Sequence, residues 1–388
     1  DVEAVVSALR SDYLTQGPLV ERFERALSST VGARDTVVCA NGTAALHLAM
    51  LALNIRPGDE VVTSAITFVA DANCARYVGA EVKFCDVDPD TGLMMPERLA
   101  AILDRDRQKK IKVVIPVDFA GQPADVGAIS ALARAHGAYV VEDACHALGA
   151  DYSDHGRRNA VGGNGSSDLT VFSFHPVKHI TTGEGGAITT ADSFLGSRLR
   201  QFRTHGITRQ EFIHEEMAVS TAGEPNPWYY EVTELGFNYR MNDLQAALGL
   251  SQLGRLGDFI ARRREIANMY DQLLASAFDP DVVRPLTVQP GVGHAYHLYV
   301  VRIDFGSFGR TRAKVMNKLL GRDIGTQVHY IPLHLQPYYR DRYGLRPGMF
   351  PNAENYYANA LSLPMYPGLT NQDIERVVGE LESILLNG

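Results

Sequence analysis

Short hydrophobic runs alternate with stretches of helical periodicity through the first half of the chain. The runs predict strands at 36–40, 60–63, 82–85, 112–117, 138–141, 169–174 and 187–190. The helical stretches between them include 44–53, 68–78 and 126–135. Because near-continuous apolar strands alternate with helices, we expect a largely parallel sheet covered on both faces. Ligands of such sheets bind at the carboxyl ends of the strands.

The second half of the chain has a different pattern. A long helical period covers 242–275, and a final one covers 371–386. Between them, strand-like segments at 297–303 and 325–330 flank a helical period at 312–320. We therefore expect a large α/β domain over residues 1–250 and a smaller C-terminal α+β domain over 251–388.

Composition and net charge disfavour several classes of protein. With 388 residues the chain is long enough for about two domains, and its net charge of −8 disfavours a nucleic-acid or anionic-membrane surface. No apolar run is long enough to span a membrane, and no signal peptide is evident, so we expect a cytoplasmic protein. The four cysteines contain no CxxC pair, which favours reduced thiols over disulfides. Histidine pairs such as His294/His297 lack an evident third ligand, so no metal site is expected.

Asn41-Gly42-Thr43 follows a predicted strand and opens an alanine-rich helix. The free N–H groups and the positive dipole end of such a helix can bind a phosphate. A plain N-cap with a turn glycine explains the same residues equally simply.

A second candidate segment, Glu142-Asp143-Ala144-Cys145-His146, follows the predicted strand that ends at Val141. A carboxylate at the carboxyl end of a buried strand can keep a heteroaromatic nitrogen protonated, and His146 can reach a neighbouring ring atom. The alternative is that Asp143 caps a following helix.

Lys178 follows an apolar strand and precedes the glycine-rich turn Thr182-Gly183-Glu184-Gly185-Gly186. Most lysines are solvated surface residues. Here the strand and the tight turn predict a crowded, partly desolvated amine, whose lowered pKa makes it a nucleophile. Ser173, five residues earlier, can offer its hydroxyl to a phosphate, although it can also be an ordinary strand hydroxyl. Neither GxGxxG after a strand, nor GxxxxGK[ST], nor GxSxG is present, which disfavours dinucleotide, P-loop and hydrolase sites.

Seven segments extend this pattern over nearly the whole chain. They are LTQGP (14–18), NGTAAL (41–46), TFVA (67–70), EDACHALG (142–149), TGEGG (182–186), GFNYRMN (236–242) and QVHY (327–330). In this order they resemble the fold-type I pyridoxal-phosphate (PLP) enzymes, in particular the DegT/DnrJ/EryC1/StrS family of nucleotide-sugar aminotransferases. The resemblance implies an α/β fold-type I transferase, with a large α/β/α domain around a mostly parallel sheet and a smaller C-terminal α+β domain.

The resemblance also implies a role for individual residues. Lys178 resembles the lysine that holds PLP as a Schiff base, Asp143 the carboxylate facing the pyridine nitrogen, and His146 the residue beside the phenolic oxygen. Phe68 resembles the ring that stacks on the cofactor. The phosphate contacts implied are Gly42, Thr43, Ser173 and, from the neighbouring subunit of a homodimer, Asn238. The substrate-binding residues implied are Tyr13, Leu14, Thr15, Gln327, Val328, His329 and Tyr330.

Within the family, FHPVK (174–178) and PWYYE (227–231) most resemble members of pseudaminic acid biosynthesis. The resemblance implies transfer of an amino group from L-glutamate, leaving 2-oxoglutarate, to C4 of a UDP-linked 4-keto-6-deoxy-N-acetylhexosamine. The alternatives are a dTDP-, GDP- or UDP-linked 3- or 4-keto sugar as acceptor, and a non-catalytic binding protein that keeps the fold. Lys178 disfavours the family's dehydratases, which carry histidine there. Asp71 departs from the pattern, since a small hydroxyl or alanine is expected at that position.

Overall fold

A computed structural model describes residues 1–154, 156–163 and 165–387. The helices are α1 (Val2–Leu9), α2 (Pro18–Val31), α3 (Gly42–Ala52), α4 (Ala70–Tyr77), α5 (Pro96–Arg105), α6 (Val126–His136), α7 (Ser193–Arg203), α8 (Asp243–Leu253), α9 (Leu256–Ala277), α10 (Arg312–Leu320), α11 (Pro337–Tyr343), α12 (Pro351–Asn359) and α13 (Asn371–Leu386). The strands are β1 (Asp35–Cys39), β2 (Glu60–Ser64), β3 (Glu81–Cys85), β4 (Ile111–Ile115), β5 (Tyr139–Asp143), β6 (Asp151–Asp154), β7 (Arg157–Ala160), β8 (Leu169–Ser173), β9 (Gly186–Thr190), β10 (Ile207–Thr208), β11 (Glu231–Val232), β12 (Val283–Pro285), β13 (Val292–Gly293), β14 (Tyr299–Ile303) and β15 (Ala360–Leu363).

A seven-stranded sheet forms the centre of the molecule, in the order β1-β9-β8-β5-β4-β2-β3. The pairs β2/β3, β2/β4, β4/β5 and β5/β8 are parallel, whereas β9 runs antiparallel to both β1 and β8. Each of the seven strands expected in the first half is present, and the expected α/β class with a mostly parallel sheet is confirmed.

The sheet brings distant segments together at one edge. Cys39 at the end of β1 and Ser173 at the end of β8 both pair with Gly186. Asp143, at the end of β5, pairs with Val171 of β8. The carboxyl ends of β1, β5 and β8 therefore meet where the sequence places its candidate chemistry.

Helix α3 illustrates why the sheet is covered. Its side chains are small or apolar on every side, and the helix is buried along almost its entire length. It contacts α4, α7, β8 and β9. Its amino terminus is thereby held at the same edge of the sheet as Ser173.

The C-terminal part contains a separate hydrophobic cluster, formed by α9, α10 and α13 around the antiparallel sheet β12-β14-β15. Two expectations fail in this part. The helical period at 242–275 is split into α8 and α9, because Gly254, a poor helix former, ends the first helix. The strand expected at 325–330 is reduced to one bridge between Gln327 and Ser362, after which the chain turns towards the sheet edge.

Candidate active site

Lys178 lies between the end of β8 and the start of β9, in a tightly bonded loop. The N–H of Phe174 donates to Gly185 O (2.8 Å), and the N–H of Thr182 donates to Phe174 O (3.0 Å). The lysine side chain is half-buried, with Nζ 3.5 Å from His297 Nε2. Burial lowers the pKa of Lys178, and the Cys145 thiol and the carboxyl groups of Asp143 and Asp71 oppose that change. The expected desolvated amine is therefore present.

Asp143 is almost fully buried, with 6% of its surface exposed. Its Oδ1 accepts a hydrogen bond from the Cys145 N–H (3.0 Å). Residues 144–149 form turns instead of a helix, so the capping alternative for Asp143 is wrong. The carboxylate is instead held by the turn through Oδ1, and Oδ2 accepts from no backbone N–H or alcohol hydroxyl of the described residues.

His146 is buried beside Lys178. Its Nε2 lies 3.2 Å from the Tyr330 hydroxyl, and its ring centroid is 4.3 Å from that of His297. Its Nδ1 is buried and has no hydrogen-bond partner in the described part of the chain. Burial, together with the charge of Lys178, lowers the pKa of His146 well below its ordinary value. The imidazole is consequently neutral at physiological pH.

Gly42, Thr43 and Ser173, the expected phosphate contacts, lie where the amino terminus of α3 approaches the end of β8. Gly42 and Thr43 are the first residues of α3, so their N–H groups have no acceptor within the helix. A Cβ on Gly42 would come within 3.0 Å of Ser173 Cβ and 3.3 Å of its Oγ. The N-cap interpretation also holds, because the Asn41 side chain accepts from Ala44 N–H (2.8 Å). Asn41 caps the helix, while the absence of a side chain at Gly42 lets the helix terminus approach Ser173 closely.

Phe68 and Tyr330 line one side of this edge. The Phe68 ring is 53% exposed, which is unusual for a phenylalanine among buried neighbours, and its centroid lies 6.1 Å from that of Tyr330. His329 Nδ1 lies 2.8 Å from Ser362 Oγ, and burial with the charge of Lys178 lowers the pKa of His329 to about 4. Gln327 is exposed and pairs with β15, and neither it nor Val328 is seen to contact Lys178 within the described ranges.

Asn238 and the segment Tyr13, Leu14 and Thr15 lie elsewhere. Asn238 is exposed and its backbone pairs with Thr204. Leu14 O accepts from the Asp243 N–H (3.0 Å), and Thr15 pairs with Asn242. These two segments are neighbours through α8 and the chain before it, but one protomer alone does not bring them to Lys178 within residues that the structure describes.

The model of the DegT/DnrJ/EryC1/StrS aminotransferase family matches residues 1–382. The chain belongs to this family. It is an aminotransferase, and its cofactor is pyridoxal phosphate.

Several relatives of this aminotransferase are known. The spore coat polysaccharide biosynthesis protein SpsC of Bacillus subtilis is 39% identical over 386 residues, which are 99% of this chain and 94% of that protein. PseC of Helicobacter pylori, an aminotransferase involved in the biosynthesis of pseudoaminic acid, superposes with a TM-score of 0.86 at 29% identity, covering 99% and 95% of the two chains. A Streptococcus pneumoniae protein solved in its PLP form gives a TM-score of 0.85 at 28% identity, with the same coverage.

The side chains at the sheet edge fit PLP. Gly42 leaves a space that a Cβ would fill, Asp143 Oδ2 is open, the His146 Nδ1 is buried without a partner in the described residues, and Phe68 presents an exposed ring. These are the features that an anionic phosphate, a pyridine ring and a polar ring substituent require. Across the described ranges, no group of three or more His, Cys, Asp or Glu side chains is arranged for a metal ion, and no helix is long and apolar enough to span a bilayer.

The structure adds residues that the sequence pattern did not place at the site. His297 comes from the C-terminal half, 119 residues after Lys178, and no local signal links the two. The sequence predicts no role for Cys145 beyond that of a reduced thiol, and its N–H holds Asp143 in the structure. Asp71 departs from the family pattern, and in the structure it is a buried acid whose N–H donates to Phe68 O (3.3 Å).

Proposed function

We propose that this aminotransferase uses L-glutamate to aminate C4 of a UDP-linked 4-keto-6-deoxy-N-acetylhexosamine, giving a UDP-4-amino-4,6-dideoxy sugar. The observation that carries the chemistry is the half-buried Lys178 amine, with its lowered pKa, beside Asp143 and His146 at the carboxyl ends of three strands.

Each side chain at the edge has a distinct task in this proposal. Lys178 would hold the cofactor, and Asp143 Oδ2 would keep a proton on its ring nitrogen. His146 Nδ1 would bind the phenolic oxygen, and Phe68 would stack on the ring. Gly42, Thr43 and Ser173 bind the phosphate through a helix terminus and a hydroxyl.

When bound, PLP supplies the electron sink on which amino-group transfer depends. The residues of the chain control the protons. The Lys178 amine takes the proton from Cα of glutamate and, in the return half-reaction, delivers one to C4 of the sugar. His146, His329 and His297 have lowered pKa values, so they stay neutral and do not compete with Lys178 for charge in this desolvated place.

Support for the sugar nucleotide comes from the loop that contains PWYYE. The Tyr229 hydroxyl donates to Glu231 (2.9 Å) and its ring packs on Phe212, so this tyrosine fastens the loop down. Trp228 is 71% exposed, which leaves its ring available to stack on a sugar or a uracil, while Tyr230 is 48% exposed and has the Arg209 guanidinium 5.6 Å from its ring centroid. Similarity to PseC, whose stated role is in pseudoaminic acid biosynthesis, favours the N-acetylated 4-keto acceptor.

We propose further that the enzyme is a cytoplasmic homodimer in which the exposed Asn238 of one subunit completes the phosphate site of the other. The exposed segment Tyr13, Leu14 and Thr15, together with the 327–330 segment, contacts the substrate. All four cysteines are free thiols, which suits a reducing compartment. The two-domain division at residue 250 remains part of the proposal, supported by the separate C-terminal hydrophobic cluster.

The test is relative kcat/KM across a set of 4-keto sugar nucleotides with L-glutamate as donor. We expect the UDP-linked N-acetylated sugar of β-L-arabino configuration to be preferred over its C5 epimer and over the analogue that lacks the acetamido group. Discrimination against a thymine nucleotide rests on one methyl group and is expected to be modest, about 10- to 200-fold at most. A clear preference for a dTDP- or GDP-linked sugar would contradict the substrate assignment and leave the transamination chemistry intact.

A further inference from the structure

Asp71, in the first turn of α4, is a buried acid next to the site. Only 1% of its surface is exposed. The Thr67 hydroxyl donates to its Oδ2, and Oδ1 is buried without a hydrogen-bond partner among the residues that the structure describes. A buried carboxyl oxygen without a hydrogen-bond donor destabilises the folded protein, so we expect a neighbouring group to account for it.

The neighbour that accounts for it is Asp143, whose charge and side-chain hydrogen bonding both disfavour the ionised form of Asp71. Two buried carboxylates in contact repel each other strongly, and a shared proton removes the repulsion. Lys178 is a cationic group that acts on both acids, but its own pKa is lowered by burial, so it is a weak counter-charge.

Two further buried acids interact with Asp143. Glu142 and Asp118 are both buried and interact with each other and with Asp143. Burial and the charge of Asp143 raise the pKa of Asp71 well above its ordinary value, against the smaller effects of Thr67 and Lys178. The geometry agrees, because Asp71 Oδ1 is buried and receives no hydrogen bond within the described ranges, as expected of an oxygen that carries the proton, whereas Asp143 Oδ1 accepts the Cys145 N–H. Of these two acids, Asp71 is therefore the one that retains the proton.

We propose that Asp71 is a neutral carboxylic acid that donates a hydrogen bond to the Asp143 carboxylate, and so acts as a positioning residue for it. The Cys145 N–H holds Oδ1 of Asp143 (3.0 Å), and Oδ2 accepts the Asp71 proton on one of its two lone pairs, which leaves the other for a second donor. Asp143 then presents a single negative charge. The consequence for catalysis rests on the proposed function, in which that charge faces the cofactor's ring nitrogen.

Two substitutions at position 71 separate a neutral donor from a charged carboxylate. In Asp71→Asn, the amide oxygen accepts from Thr67 and the amide nitrogen donates to Asp143, so kcat should stay within roughly threefold of wild type. Asp71→Ala removes the donor and should lower kcat about tenfold or more, as expected for a hydrogen bond to a charged group. If Asp71→Asn loses as much activity as Asp71→Ala, Asp71 acts as a charge and the proposal is wrong.

Infrared spectroscopy of the holoenzyme, with and without 13C-labelled aspartate, detects a protonated carboxyl group directly and does not require turnover. Burial and the charge of Glu142 also raise the pKa of Asp118, so the band of Asp71 is measured in the Asp118→Asn background. There we expect the carbonyl band of a protonated aspartic acid at neutral pH, shifted by the label and by D2O, and lost in the double variant Asp71→Asn/Asp118→Asn. Absence of the band in Asp118→Asn, or the same band in the double variant, would overturn the proposal.

The infrared result can still be interpreted if a variant does not fold or if the proposed function is wrong. Should Asp71→Asn not fold, a labelled band that survives in Asp118→Asn supports the proposal, and one that disappears contradicts it. Full turnover of Asp143→Asn would remove the proposed role of Asp143 towards the cofactor, while the protonation of Asp71 would still be decided by its band.

Discussion

At the scale of single residues, Asp143 carries the first prediction. Asp143→Asn keeps the shape of the side chain and removes the charge that would hold a proton on the ring nitrogen. We expect a loss of at least roughly a hundredfold in kcat, because one charge partner in a desolvated site contributes several kcal/mol. Single-turnover measurements with L-glutamate, followed through the visible absorbance of the bound cofactor, provide the check. Normal turnover would show that the Asp143 carboxylate serves only to stabilise the turn that follows it.

The amine of Lys178 makes a prediction about pH. Only the neutral amine is nucleophilic, and burial lowers the pKa of Lys178 from the ordinary 10.5. The rate at which the apo-protein takes up PLP should therefore rise with pH and reach half its maximum below pH 10.5. The Asp143 carboxylate raises this pKa, so Asp143→Asn should move the midpoint to still lower pH. A midpoint at or above the ordinary lysine value would contradict the desolvated environment.

At the scale of elements, the amino terminus of α3 carries the third prediction. Gly42→Ala places a Cβ within 3.0 Å of Ser173 and fills part of the phosphate seat. We expect PLP to bind at least about tenfold more weakly, roughly 1.4 kcal/mol, by equilibrium titration of the apo-protein. Gly257→Ala is the matched control, since Gly257 is exposed in the first turn of α9 with nothing within 4 Å of its Cβ. Equal affinities in the two variants would place the phosphate elsewhere.

The strands also show how much of the candidate site can be predicted from the sequence. Gly42, Asp143, Ser173 and Lys178 each follow a strand closely, so local pattern and the geometry of a parallel sheet suffice to place them at one edge. Contacts between segments that are far apart in the sequence are not indicated by any local sequence pattern. His146 meets Tyr330, 184 residues later, only because the chain after β14 turns back to the sheet, at the point where a strand was expected.

At the scale of the whole molecule, the proposed dimer makes a quantitative prediction. Lys178→Ala and Asn238→Ala proteins, each inactive, are mixed after reversible dissociation. A heterodimer then has one doubly damaged site and one intact site, so random exchange should restore roughly a quarter of wild-type activity. No recovery despite demonstrated exchange would place Asn238 outside the neighbour's site, where a single protomer leaves it exposed.

The position of Asn238 also shows which expected site residues a single chain does not bring to Lys178. Its segment and the segment that contains Tyr13 are exposed neighbours joined through α8, away from Lys178 in the described residues. Their likeness to the family's motifs is visible in the sequence, but their place in a site follows only from the proposed dimer. Trp228 is likewise exposed, at 71%.

The central claim is that Lys178 holds the cofactor and moves the proton. Reduction of the holoenzyme with borohydride should fix PLP to one peptide, and mass spectrometry should find that peptide to contain Lys178. Lys178→Ala should escape labelling, still bind PLP without a covalent link, and lose at least roughly a thousandfold in turnover, as expected for a general acid–base group. Labelling of a different lysine, or retained turnover in Lys178→Ala, would contradict the account.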